Sequence, residues 1–458
     1  MAANDKVILF EKTPIPKAIM KLAIPTVLSS LVMVLYNLAD TYFVGMLNDP
    51  VQNAAVTLSY PVILAFNAIN NLFGVGSSSM MSRALGSKDY DTVKRSSAMG
   101  CYCSLICGIM FSLLCTVFKT SLLTLLGADD ITRAATDSYM FWTVTCGAAP
   151  AILNVVMAYL VRSEGASLHA SVGTMSGCVL NMILDPIFIL PQGFNMGAAG
   201  AGFATFLSNC VACLYFFVLL YRKRGNTFVC VNPKMFRWKK AIVMGICIVG
   251  IPASIQNLLN VTGSTILNNF TSSYGANAVA AMGIAHKLNM IPFQIALGFS
   301  QGIMPLVSYN YSSGNHRRMK DTILFAIRLM LPLITLVAAG YYFGSEILIR
   351  LFMENEEVIG YGSRFLRGFC LGLPLIYMDF LAVGVFQALG FGKNALIFAI
   401  MRKIILEIPA LFILNYLFPL YGLAYAQPIA ELVLAISAMI MLKRIFDRCS
   451  GQQEAATE

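Results

Sequence analysis

Apolar residues in this chain fall in long runs separated by short polar breaks. Twelve runs stand out, at 18–45, 54–82, 96–118, 134–160, 168–190, 198–221, 241–271, 277–307, 322–344, 364–389, 394–417 and 421–443. Each is long enough for the ~20 residues that a bilayer's hydrocarbon core requires. In lipid the backbone must satisfy its own hydrogen bonds, so such runs are helices. The pattern predicts an all-α, polytopic membrane protein with twelve transmembrane helices. The eighth run is interrupted by His286 and Lys287. The longest polar stretch between runs, Arg222 to Lys240, divides the chain into an N-lobe at 1–222 (spans 1–6), a cytoplasmic linker at 223–240, and a C-lobe with a short cytoplasmic tail at 241–458 (spans 7–12). None of the polar segments is long enough for a soluble core of its own. No removable signal peptide is expected, since no small-residue cleavage site follows a short apolar stretch.

Composition agrees with this pattern. The 458 residues are 58% hydrophobic and 12% charged, against about 25% charged in soluble domains. Charge placement adds an orientation. Of the 32 Lys and Arg, 26 fall in the N-terminus, the even-numbered loops or starts of the following spans, and the C-terminus, seven of them between Arg222 and Lys240. The odd-numbered loops carry acids instead: Asp129, Asp130, Glu354, Glu356 and Glu357. The positive-inside rule then places both termini in the cytoplasm of a multi-pass protein of the inner (plasma) membrane. It also accounts for the net charge of +10 through topology and anionic lipid, with no nucleic acid partner.

Several chemistries find no support. There is no G-x-x-x-x-G-K-[ST] loop for a nucleotide phosphate. The three histidines, His169, His286 and His316, form no metal-ligand pattern, and no nucleophile–base pair is apparent. Cys210 and Cys213 make a C-x-x-C inside an apolar span, where small packing residues are expected rather than a metal or disulfide. The expectation is a protein that is not an enzyme and has no resident cofactor.

The two halves repeat one plan. Ile24-Pro25 is echoed by Ile251-Pro252 at an offset of 227, Gly76 by Gly302 at 226, Pro150 by Pro374 at 224, Pro186 by Pro409 at 223, and Gly200 by Gly422 at 222. Order is kept and the offset drifts smoothly. Six spans per half give both halves the same orientation, and such parallel repeats are a transporter architecture. The repeat also supplies a control, because residues needed by the architecture should recur. Asp40 in span 1 is matched by Leu267, and Asp185 in span 5 by Ile408. A carboxylate within the membrane is costly and marks function by default; the alternative is a bond to a neighbouring helix or a place near the interface. Tyr36 and Asp40 are spaced i, i+4, as are Asn181 and Asp185, so each pair shares a helix face. Pro186 removes a backbone donor just after Asp185. Thr205 adds a hydroxyl. These are oxygen ligands suited to a hard cation or a shared proton.

At these residues the chain resembles the multidrug and toxic compound extrusion (MATE) antiporters. The resemblance covers all twelve spans. Its local marks are Ile24-Pro25, the Asn37-to-Gly45 run with Asp40-Thr41, Arg162-Ser163 after span 4, Asn181 to Pro186, Gly197 to Thr205, and Pro428-Ile429-Ala430-Glu431. It implies two six-helix lobes around a central cleft, and export of cationic, amphipathic compounds against inward flow of Na+ or H+. For prokaryotic members it implies an N-lobe cation site at Asp40, Asn181, Asp185 and Thr205, with Tyr36 nearby and a bend of span 1 at Pro25. Some members also use a carboxylate at the start of span 7, where this chain has the amide Gln256.

Four further residues, Gln256, Asp379, Glu407 and Glu431, are candidates for contacting a cationic substrate. Lys403 and Glu407 at i, i+4 are expected to neutralise each other. Asp379 and Glu431 either attract substrate or bond between helices. Some of the 25 Met and of the Phe and Tyr residues would line an adaptable pocket for varied organic cations. The resulting expectation is a monomeric secondary exporter of small organic cations, embedded in membrane lipids and driven by Na+ or H+. The rivals are a flippase for a lipid-linked saccharide and, less in keeping with the residues, a polytopic membrane enzyme.

Overall fold

The computed structural model describes residues 3–455, and among them it contains helices and no strand. A short helix, Ala3–Glu11, precedes the spans. Among the described residues, nine helices are individually long and apolar enough to cross a membrane: Ile15–Gly45, Pro50–Gly86, Tyr90–Val117, Ser167–Ile189, Ala198–Arg222, Lys240–Ser272, Ala276–Ser312, His316–Phe343 and Glu356–Leu389. Arg133–Cys146 and Ala148–Ser163 pass together as a tenth, bent by 48°. The helical run 392–417 and the helix Leu423–Ala455 take the places of spans 11 and 12. Span 8 is one unbroken helix through His286 and Lys287. Polar residues between the apolar runs set helix ends. Asp49 accepts from the Val51 N–H at 2.9 Å, with Pro50 in the first turn of span 2. Asn315 caps span 9 through the Arg318 N–H. Span 10 starts under Asn355 and stops at Gly390, whose left-handed φ of 80° suits glycine.

The chain forms two compact units. One comprises Met1–Glu11 and Leu28–Ser254, the other Lys12–Val27 and Ile255–Glu458. Chain membership therefore changes inside span 1 and inside span 7, two residues beyond the repeat-related Pro25 and Pro252. Each unit packs its borrowed half-helix against a repeat-related glycine. A Cβ on Gly76 would lie 2.5 Å from the carbonyl oxygen of Ile246, within the first unit. A Cβ on Gly302 would lie 2.6 Å from the Cα of Ala23, within the second. These close backbone approaches are why glycine recurs at both positions.

In the first unit, Lys6 is buried rather than solvated. Its Nζ donates to Glu164 Oε1 at 2.6 Å and to the Asn226 carbonyl at 3.0 Å. Glu164 also accepts from the Thr227 hydroxyl and from the Phe228 N–H. This ties the short first helix to the turn after span 4 and to the linker. Arg162 lies over the Tyr159 ring, 5.5 Å from its centroid. Cys210 and Cys213 are free thiols, and Cys213 donates to the Pro150 carbonyl at 3.2 Å.

Candidate functional site

Span 5 of the first unit turns one face inward. Asn181, Asp185 and Ile189 recur every four residues, and all three are buried, Asp185 completely. Span 6 lies against span 5. Its start is fixed by Gln52 of span 2, whose Oε1 accepts from the Ala198 N–H at 2.8 Å. Two turns further along span 6, Thr205 meets Asn181. With its amide oriented to satisfy both neighbours, Asn181 donates to the two carboxylate oxygens of Asp185 at 2.9 and 3.2 Å. It then accepts from the Thr205 hydroxyl at 3.2 Å and backbone N–H at 3.0 Å.

Span 1 supplies the rest. The Tyr36 hydroxyl interacts with that of Thr205. The Asp40 carboxylate lies close enough to Asp185 for their charges to repel. Asp40 Oδ1 is buried without a hydrogen-bond partner, an exception to the rule that buried acceptors are satisfied. The structure thus brings Tyr36, Asp40, Asn181, Asp185 and Thr205 into one cluster. No Lys, Arg or His forms an ion pair with Asp40 or Asp185 among the described residues. Two facing carboxylates surrounded by neutral amide and hydroxyl oxygens attract a small cation or a proton.

Tyr139 and Asn154 were not singled out in the sequence, yet both join this neighbourhood. Tyr139, from the N-terminal part of span 4, is buried within reach of Asp40, Asp185 and Tyr36. Asn154, in the same span, donates to Asn209 Oδ1 at 3.2 Å, and Asn209 donates to the Thr205 carbonyl at 2.9 Å. The internal control could have found Asn154, since its counterpart at an offset of 224 is Met378. Tyr139 carried no such signal, because buried tyrosines are common in apolar helices.

The other candidates lie in the second unit. Pro25 is internal to span 1, close to the point where the chain changes unit. Gln256 is partly buried on span 7. Seven residues on, at the same face, a Cβ on Gly263 would lie 3.1 Å from the Lys403 side chain. Lys403 and Glu407 form the expected pair at 2.6 Å. Arg402, expected among the cytoplasmic bases, instead lies buried within span 11. Its Nη1 is 3.3 Å from Asp379 and its Nη2 is 2.6 Å from Glu431. A widened π-type turn over Met401–Glu407 carries it; such turns reorient side chains within a helix. Asp379 and Glu431 are therefore paired between helices rather than standing as lone acids.

The MatE family model matches residues 25–187 and 252–417, one stretch in each half. The chain is 32% identical over 446 residues to the multidrug export protein MepA of Staphylococcus aureus (strain MRSA252), covering 97% of each protein. Among solved structures it resembles an outward-facing multidrug resistance MATE family transporter of the MOP superfamily. The TM-score is 0.91 at 26% identity, over 97% of this chain and 98% of that one. A MATE in the straight conformation matches with a TM-score of 0.91 at 27% identity, over 97% of this chain and 99% of the other.

Proposed function

The chain belongs to the MatE family, and on that premise we propose that this multi-pass membrane protein is a secondary exporter of organic cations, driven by inward flow of Na+ or H+. The observation that carries the reading is the unit-1 site: two intramembrane acids with neutral oxygen neighbours, no base paired to either, and apolar counterparts in the repeat. Without a coupling ion the acids repel and favour any cation. An incoming Na+ or H+ neutralises them, and span 1 bends near Pro25. That change lowers affinity for the organic cation, which leaves outward as the two lobes rock. Coupling of this kind is the free energy by which each cation weakens the other's binding. Both termini lie in the cytoplasm, the protein resides in the plasma membrane, and it works as a monomer surrounded by lipid. Gln256 of the second unit is offered as a substrate contact.

The test is flux of a lipophilic cationic dye in proteoliposomes with sodium and pH gradients imposed separately. Dye movement under one gradient and not the other supports the reading and identifies the ion. No movement under either, with folded protein in the bilayer, would transfer support to a lipid-linked saccharide flippase.

A further inference from the structure

The second unit holds a separate ionic centre. Asp379 of span 10, Arg402 of span 11 and Glu431 of span 12 are each at most 2% exposed. One guanidinium spans both acids, at 3.3 and 2.6 Å, and lies over the Phe380 ring at 5.1 Å. Lys403 and Glu407 form a closed pair beside it. His286 of span 8 is near that pair. Three acids therefore face one guanidinium and one ammonium, and the trio itself is one positive charge short. A net charge fully buried among apolar helices is strongly disfavoured, so something must supply the missing charge. Among the described residues the centre's oxygens without a hydrogen-bond partner are four, Asp379 Oδ1, Glu407 Oε2 and both Glu431 oxygens, and one of these, Glu431 Oε1, already lies against the guanidinium at 2.6 Å. A hard metal cation needs a shell of about six oxygens, and the neighbouring guanidinium repels it. A proton needs one.

We propose that Arg402 is a tethered cation that occupies half of the Asp379–Glu431 pair and leaves room for a single exchangeable proton, so that this residue sets the proton count of the second unit. The planar fork is what lets one side chain meet two carboxylates at once. The inference does not depend on the unit-1 site. Charge balance gives it an unusual signature. Removing either acid leaves one acid against one arginine, which is already neutral, so the proton is lost completely rather than by half. Removing the arginine leaves two acids and calls for two protons.

The test is infrared difference spectroscopy of the full chain in nanodiscs, reading the carbonyl band of buried protonated carboxyl groups. An Asp40→Asn/Asp185→Asn background removes the first unit's contribution. In that background a band equivalent to one carboxyl group is expected. Glu431→Gln or Asp379→Asn alone should abolish it, Arg402→Lys should retain it, and Arg402→Gln should double it. If Arg402→Gln does not fold, the two acid variants, which leave neutral pairs, still decide the matter. A band that is absent in the background, or indifferent to both Glu431→Gln and Asp379→Asn, overturns the proposal.

Discussion

Both units bury acids in membrane-spanning helices, and they neutralise them by opposite means. In the first unit Asp40 and Asp185 are surrounded by an asparagine, hydroxyls and a tyrosine, with no base attached. In the second, Asp379, Glu431 and Glu407 meet Arg402 and Lys403. On the proposed reading, the first site takes its counter-charge from solution and so can be coupled to a gradient. A site whose counter-charge is mostly built into the chain is held together by it. The repeat makes the contrast sharp, because each unit packs a borrowed half-helix on a recurring glycine and still carries different chemistry.

The largest effect should come from the first unit. Asp40→Asn and Asp185→Asn are each expected to bring gradient-driven dye flux in vesicles to background while melting temperature is kept, because Asn preserves shape and removes charge. Normal export by Asp185→Asn under both gradients would sink the site. The second unit should respond in stability instead. Arg402→Ala leaves two facing buried acids and is expected to cost about 3–5 kcal/mol, read as a lowered thermal midpoint in detergent. Glu431→Gln, which leaves a balanced pair, should cost much less. If the two cost the same, the arginine is not the counter-charge.

Intermediate effects separate the coupling ions. Asn181→Ala and Thr205→Ala remove neutral ligands and leave both acids in place. If sodium drives export, each should weaken coupling within the ~5–150-fold range that coupling energies of ~1–3 kcal/mol allow. If protons do, the losses should be smaller, since a proton needs fewer oxygens. Flux measured under each gradient in turn checks this. The smallest effect is the control. Leu267→Asn, at the repeat position of Asp40, should leave flux unchanged, and a loss equal to that of Asp40→Asn would erase the asymmetry between the halves.

Much of this was legible in the sequence because the bilayer imposes simple rules. Span number followed from apolar length, the repeat from spaced prolines and glycines, and the pairing of Lys403 with Glu407 from helical spacing. The cluster at Asp40, Asn181, Asp185 and Thr205 was accessible because intramembrane acids are rare and the second half lacks them. Lys6, Glu164 and Arg402 were not. Lys6 and Arg402 counted as cytoplasmic bases, yet the first closes on an acid 158 residues away and the second meets acids on two other spans. Tyr139 was equally silent.

Local rules act over a few residues. Helix length, capping and i, i+4 neighbours depend on nearby chain alone, so the spans, the repeat and the faces on which Tyr36, Asp40, Asn181 and Asp185 lie follow from residue order. Which helix faces which, where a π-type turn redirects Arg402, and where the chain leaves one unit for the other depend on packing among distant segments. Packing settles those, and with them which buried charges have a partner in the chain and which have none among the described residues.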